Sequence, residues 1–474
     1  MGMDFSTPIW LWIYDLLGWT ARIVMVLVVI RKRRPNVALA WIALILVHPL
    51  LGGLLYLLIG DIRLDREHYG RYRQLMAAAP RTAPPAADLP VPGRFRDLIR
   101  LSQCLGSLEP TTGNDIRLVD THSAFIEGLV ADIDKAEHSV SLLYFIFWDD
   151  LTGRRIADAL ERAASRGVRC RLLVDAAGSR PFFRGMNARL KKCGVAVHAV
   201  LPVRPWRALL VRADLRNHRK LAVIDGRSAW TGSHNVCNDD YGNSKYGPWI
   251  DLSARITGPA VAQLSRVFEE DWFAQTGDPV PDHAPPPANS REGATVQVYR
   301  SGPAGIADSL EPFFIGAMHE AEHRIVITAP YIVPTASLLL QLRVAVLRGV
   351  RVDLIVPRRS NHPIVYAAGR GSFQELLESG VNIHLHAPGL LHSKTMLVDD
   401  SFAVIGSANF DVRSLSLNFE LGLLVFDQAT VAALAAVHAG YLAQSQHLTA
   451  EQWAGRGRIK RTFEDFARLF SPLL

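Results

Sequence analysis

The chain has 474 residues, 49% hydrophobic and 20% charged, with 52 Lys and Arg against 45 Asp and Glu and a formal net charge of +7. Length and composition exclude global disorder and predict several domains with sizeable cores. The small basic excess suits an anionic partner without selecting nucleic acid over membrane, and Cys104, Cys170, Cys193 and Cys237 form no CxxC pair, which excludes a dense disulfide framework and leaves no zinc signature.

The first elements are apolar. Ile9 to Ile30 carries Trp10, Trp12, Tyr14 and Trp19, an interfacial type of belt, and is interrupted by Asp15 and Arg22 near one helical face. Val37 to Ile59 has no Asp, Glu, Lys or Arg. At about 1.5 Å per residue that run is long enough to cross a hydrocarbon layer of about 30 Å. Residues 1–62 therefore predict a transmembrane helical hairpin that anchors the chain in a membrane. A cleaved signal peptide is disfavoured, because the basic run "RKRR" follows the first apolar stretch instead of preceding it. Basic residues lie in equal number between the two segments (Arg31 to Arg34) and after them (Arg63, Arg66, Arg71, Arg73), so charge does not fix the side on which the remainder lies.

Residues 63–110 read as a linker. It is polar at first and then Ala/Pro-rich, "MAAAPRTAPPAADLPVPG", an extended tether. A domain over 111–275 follows, then a second Pro-rich linker at 276–293 and a second domain over 294–474. The two domains repeat each other in order: "AEHSVSLLYFIF" from Ala136 parallels "AEHRIVITAPYIV" from Ala321, "RGVRCRLLVD" parallels "RGVRVDLIVP", and "GVAVHAV" parallels "GVNIHLH". Each copy gives an apolar strand, an amphipathic helix (Ile156, Leu160 and Ala163 share a face in the first) and another apolar strand. That order predicts a largely parallel α/β layer in each half, and the long period means tandem duplication, not a solenoid.

In the first copy the segment "VRPWRALLVRADLRNHRK" interleaves Arg204, Arg207, Arg212 and Arg216 with Trp206, Leu209 and Leu210. It reads equally as a membrane-contacting strip or as a solvated loop. Immediately after it, His218, Lys220, Asp225, Gly232, Ser233 and Asn235 are spaced HxKx4Dx6GSxN; His392, Lys394, Asp399, Gly406, Ser407 and Asn409 repeat the spacing. Strand alternation puts His and Lys on one face, the Asp ends the strand in a turn, and the return strand brings Gly-Ser-x-Asn back beside the histidine. The glycine lets another backbone approach.

An imidazole, an ammonium, a hydroxyl and an amide at one spot suit a phosphodiester. Imidazole can attack phosphorus, and Lys with the Ser and Asn donors can hold the non-bridging oxygens. A second imidazole can protonate the leaving alkoxide and later deprotonate the incoming hydroxyl. Two histidines in opposite protonation states are needed, which accounts for two copies meeting at one site. No carboxylate cluster with metal spacing accompanies either motif, so neither a metal nor another cofactor is expected.

The paired motifs resemble those of the phospholipase D superfamily and, within it, the bacterial cardiolipin synthases. The resemblance spans nearly the whole chain: "AWIALILVHPLLGGLLYLLIG", "YFIFWDDLTGRRI", "NHRKLAVIDG", "DLSARITGPAV", "ITAPYIVP", "LHSKTMLVDD", "GSANFDVRSLSLNFE" and "RLFSPLL". It implies two tandem α/β/α sandwich domains related by a pseudo-two-fold axis. It implies catalytic roles for His218, Lys220, Asp225, His392, Lys394 and Asp399, with His218 the usual nucleophile and His392 the acid/base, or the reverse. It implies substrate-binding or orienting roles for Ser233, Asn235, Ser407 and Asn409. Glu420 matches the acid that orients the histidine of the second half, and Asp251 its counterpart in the first. Two departures stand out: Ile250 replaces the family's Arg beside Asp251, and "DDYGNSKYG" at 239–247 differs from the usual pattern.

The implied activity transfers a phosphatidyl group from one phosphatidylglycerol to another through a phosphatidyl-histidine, giving cardiolipin and glycerol, in the bacterial inner membrane as a multi-pass protein. Phospholipid substrates and the membrane are the expected partners, nucleic acid is not, and a homo-oligomer is allowed. The alternative within the same chemistry is a hydrolytic phospholipase D or a phosphodiesterase or nuclease. A non-catalytic scaffold is disfavoured because both motifs are intact.

Overall fold

A computed structural model describes residues 9–32, 35–60, 70–72, 74–75, 89–202, 215–279, 292–303 and 309–469. The chain falls into two compact units, Met1–Glu67 with Val203–Leu215, and His68–Pro202 with Arg216–Leu474. Most of the Arg/Trp segment at 203–214 and the Pro-rich cores of both linkers, 76–88 and 280–291, lie outside the described residues.

In the first unit, α1 (Ile9–Lys32) is followed by α2 (Pro35–Val47), α3 (Pro49–Leu55) and a π-turn at Tyr56–Gly60. The run expected as one span is thus divided. The break falls at His48 (φ −133°, ψ 84°), because the residue before a proline is pushed out of the helical region and Pro49 then begins a new helix. A Cβ on Gly52 would lie 2.9 Å from Ile45 Cα, so glycine lets α3 fold close onto α2. Val29, Ala38, Trp41, Ile45 and Tyr56 form the unit's core. The Arg22 guanidinium donates to the Leu46 carbonyl (3.2 Å). No helix among the described residues is long and apolar enough to cross a membrane. Leu16, Trp19, Ile23, Leu27, Leu39 and Val47 nonetheless remain exposed.

The second unit opens with α4 (Arg96–Cys104), then β1 (Thr111–Val119), α5 (His122–Asp134), β2 (Ser139–Tyr144), α6 (Leu151–Ser165), β3 (Arg169–Asp175), α7 (Met186–Lys192) and β4 (Ala196–Val200). The hairpin β5 (Leu221–Ile224) and β6 (Ser228–Gly232), the short β7 (Trp249–Ile250), β8 (Ser253–Thr257) and α8 (Ala260–Thr276) complete the first half. The pattern recurs as β9 (Ala294–Ser301), α9 (Leu310–His319), β10 (Arg324–Thr328), α10 (Ala336–Leu347), β11 (Arg351–Pro357), α11 (Pro363–Gly371), α12 (Phe373–Glu378), β12 (Asn382–His386) and the short β13 (Leu390–Leu391). The hairpin β14 (Thr395–Val398) and β15 (Phe402–Gly406), α13 (Val412–Ser416), β16 (Glu420–Phe426), α14 (Gln428–Ala443), β17 (Ser445–Leu448), α15 (Ala450–Ala454) and α16 (Arg458–Arg468) follow.

Among the described residues a fifteen-stranded sheet joins both halves, in the order β17-β12-β11-β10-β14-β15-β16-β9-β1-β8-β6-β5-β2-β3-β4. Outward from the antiparallel β1–β9 junction the two halves repeat the same order, as two copies related by a two-fold axis must, with β17 added at the outer edge of the second half. Strands β2-β3-β4 and β10-β11-β12 are parallel, while β5-β6 and β14-β15 are antiparallel hairpins. The parallel strands read as near-continuous apolar runs because both faces are covered. In the first half α5, α6 and α7 pack on one face and α8 on the other; Ile156, Leu160 and Ala163 are buried as expected. In the second half α9, α10 and α12 cover one face and α14 the other. Phe95, Leu98 and Ile99, from the end of the segment read as linker, belong to the second half's core instead of a tether.

Candidate active site

The strands β5 and β14 begin one residue after Lys220 and Lys394, so both HxK segments stand at strand entrances. What places the histidines is pairing with the opposite half. Asn217 forms a parallel bridge with Phe419, and β13 pairs in parallel with β7, Leu391 beside Ile250. The next residue on each side then meets its neighbour, His218 with Glu420 and His392 with Asp251. Backbone bonds fix this register: His218 N–H donates to Phe419 O (2.9 Å) and His392 N–H to Ile250 O (2.8 Å).

His218 Nδ1 lies 3.1 Å from Glu420 Oε2 and 3.0 Å from the Ser407 carbonyl. His392 Nδ1 lies 2.6 Å from Asp251 Oδ1. This corrects the expected assignment of carboxylates: Glu420 serves the histidine of the first half and Asp251 that of the second. Ile250, which stands where the family has Arg, supplies the backbone carbonyl that anchors His392 and Ser393.

Each motif serine holds a carboxylate. Ser233 Oγ donates to Asp251 Oδ1 (2.6 Å) and accepts from Leu252 N–H (2.9 Å). Ser407 Oγ donates to Glu420 Oε2 and accepts from Leu421 N–H (3.0 Å). The preceding glycines permit this contact. A Cβ on Gly232 would lie 2.5 Å from Leu252 O, and one on Gly406 2.8 Å from Leu421 O. Asn235 Nδ2 donates to Tyr241 OH (3.0 Å), whose hydroxyl donates to Asp251 Oδ2 (3.1 Å). Asn409 Nδ2 donates to Tyr331 OH (3.0 Å).

The two ammonium groups are buried, and each donates to the carbonyl of its own histidine at 2.6 Å. Burial pulls Lys220 down to about 8 and Lys394 to about 7; the carboxylates Glu420 and Asp251 resist, and Lys220 further depresses Lys394. Burial also lowers both imidazoles, His392 to about 3, against the opposing pull of Asp251 and Glu420. Burial opposes the charge of Asp251 and Glu420 too, but their histidine partners and the lysines outweigh it and hold both below the ordinary carboxylate range.

Asp225 and Asp399 are not brought to the histidines. A four-residue strand, about 13 Å long at roughly 3.3 Å per residue, separates each from its lysine. They sit in the hairpin turns at φ 53° and 50°, as the turn reading expected. Asp225 accepts from the N–H groups of Glu137, His138 and Ser139 (2.7–2.8 Å), and Asp399 from those of Glu322, His323 and Arg324 (2.8–3.0 Å). They tie the hairpins to the starts of β2 and β10, so the expected catalytic role is corrected to a structural one.

Two contributors escaped the motif. Tyr241 lies in "DDYGNSKYG", where the departure from the family pattern was the available signal. Arg219, between His218 and Lys220, gave none. Its buried guanidinium donates to both Asp271 oxygens (2.8 Å), Ser301 O (2.9 Å) and Glu420 O (3.2 Å), bracing the backbone of the residue that holds His218. The equivalent position in the second half is Ser393.

With both Nδ1 atoms engaged, each imidazole leaves Nε2 available, able to act as a nucleophile or as a proton carrier, beside two ammonium groups able to hold phosphoryl oxygens. Among the described residues no group of three or more His, Cys, Asp or Glu could hold a metal ion.

A duplicated α/β/α fold that assembles one site from two such motifs defines a phospholipase D-type protein. The chain belongs to the family described as "Cardiolipin synthase, PLD-like domain", which residues 129–272 and 314–439 match; residues 21–60 match the "Phospholipase D-nuclease N-terminal" family. It is 35% identical to Cardiolipin synthase A of Serratia proteamaculans over 98% of both chains, and 35% identical to Cardiolipin synthase A of Erwinia tasmaniensis over 99% of both. Among solved structures, phosphatidylserine synthase of Haemophilus influenzae Rd KW20 shares the fold, with a TM-score of 0.60 and 15% identity over 79% of this chain and 97% of that one.

Proposed function

We propose that this chain is a cardiolipin synthase that joins two phosphatidylglycerol molecules by phosphatidyl transfer, with residues 111–275 and 294–474 as its two catalytic domains. The observation that carries the reading is the crossed pairing: each histidine is oriented through Nδ1 by a carboxylate of the other half, so neither half has a complete site.

In the first step His218 Nε2 attacks phosphorus of one phosphatidylglycerol. Its Nδ1–H, donated to Glu420, leaves the Nε2 lone pair free and stabilises the imidazolium that forms. The P–O bond to glycerol breaks, and His392, neutral in the free protein but protonated from solvent as the anionic phosphodiester settles beside it, gives its Nε2 proton to that oxygen. Lys220 and Lys394 hold the charge that collects on the non-bridging oxygens, and Asn235 and Asn409 are left to assist through the N–H that each does not give to its tyrosine. In the second step His392, now neutral, takes the proton from the primary hydroxyl of another phosphatidylglycerol. That oxygen attacks phosphorus, the P–N bond to His218 breaks, and cardiolipin leaves.

Residues 1–62 are proposed as the membrane anchor, with α1 and the α2–α3 pair seated in the bacterial inner membrane as a multi-pass hairpin. The exposed apolar side chains of this unit support that reading. Expression in a cardiolipin-free host tests the function. Cardiolipin should appear, and both His218→Ala and His392→Ala should abolish it; phosphatidate in its place would mean that water is the acceptor. Turnover should withstand a metal chelator, and loss of activity restored by added metal would overturn the two-histidine chemistry.

A further inference from the structure

Helix α16 is amphipathic with its apolar face turned outward. Its inner side is narrow: Glu464 and Ala467 are buried, and Glu464 accepts a hydrogen bond from Arg370 (2.7 Å) and forms an ion pair with Arg456 (3.1 Å). Ile459 is 89% exposed, Phe463 52%, Phe466 56% and the following Leu469 74%. At about 100° per residue, Ile459, Phe463 and Phe466 fall within about 60° of one another, with Arg458 on one flank and Lys460 on the other. Arg458, Ile459, Thr462, Phe463 and Phe466 line an open groove on this face.

The charge is asymmetric as well. Arg458, Lys460 and Arg461 are exposed, against Asp465 as the exposed acid of the helix, because the charge of Glu464 is matched by its two arginines. A second copy docked face to face would set these cations against their own equivalents. An anionic bilayer surface fits all of them. The aromatic and aliphatic stripe enters the boundary of the acyl chains, and the flanking Arg and Lys reach out to phosphate groups.

We propose that α16 is a peripheral membrane-contact helix that lies in the interface of an anionic leaflet, independently of the N-terminal segment and of the reaction at the histidines. The test uses the full chain in nanodiscs. A polarity-sensitive dye is attached at Phe463→Cys, with the exposed Cys104 and Cys193 changed to Ser and the buried Cys170 and Cys237 left in place. Quenching by lipids brominated on their acyl chains should be several-fold stronger in phosphatidylcholine containing phosphatidylserine than in phosphatidylcholine alone. The excess should vanish in Arg458→Glu/Lys460→Glu. Absent quenching, or equal quenching in both lipids, would overturn the proposal. So would shielding of the dye that grows with protein concentration in detergent without lipid, which would mean a second copy covers the face.

Discussion

Glu420 holds a histidine 202 residues earlier in the chain, and Asp251 one 141 residues later. Glu420→Gln keeps the shape but removes the charge that fixes the His218 tautomer and stabilises its cation. Turnover per folded molecule should fall by roughly 10²–10⁴-fold. Turnover within a few-fold of the unsubstituted protein would show that Glu420 does not serve His218. The lysines predict a pH limb. Because burial lowers both, the ammonium form is present below about pH 7 and is lost as pH rises through about 8. Phosphate binding weakens there, so kcat/KM should decline above about pH 8, and kcat should decline less because bound phosphate restores the protons. A kcat/KM flat to about pH 10, where a free lysine titrates, would contradict this. Both histidines, both lysines and both carboxylates could be read from spacing and resemblance. Their crossed pairing could not, since it depends on the parallel register of Asn217 with Phe419 and of Leu391 with Ile250.

At the scale of elements, each hairpin is secured at its far end by an aspartate and at its near end by the opposite half. Asp399→Asn weakens three charge-assisted backbone bonds and should destabilise the fold by about 1–3 kcal/mol, with turnover per folded molecule nearly unchanged. A thermal melt with activity normalised to folded protein checks both; loss of turnover at full stability would return Asp399 to the chemistry. The strand–helix–strand units were legible because their apolar runs and amphipathic helix are long. Two local features overrode the apolar or Pro-rich character around them. Pro49 breaks the 37–59 run although no charge interrupts it, and Phe95, Leu98 and Ile99 pack a short helix into the second core from a segment that reads as tether.

Across the whole molecule, duplication was visible in three repeated segments, and the sheet order makes it physical. Buried histidines give this body an acid limit. Burial holds His234 to about 4 and both His392 and His438 to about 3, whereas an unfolded histidine titrates near 6.5. Between these values the unfolded chain binds more protons, so stability rises with pH and is lost as pH falls from about 6.5 toward 4. The depressed Asp251 and Glu420 extend the loss below about pH 4.5. The melting temperature should therefore fall across that window, and an invariant one would contradict the buried neutral imidazoles. Transfer of a phosphatidyl group to a lipid alcohol at a single two-histidine site is decided by mass spectrometry of product and co-product from purified protein and phosphatidylglycerol. Cardiolipin and glycerol should form in equal amounts; phosphatidate and glycerol without cardiolipin would mean that water, not a lipid alcohol, is the acceptor.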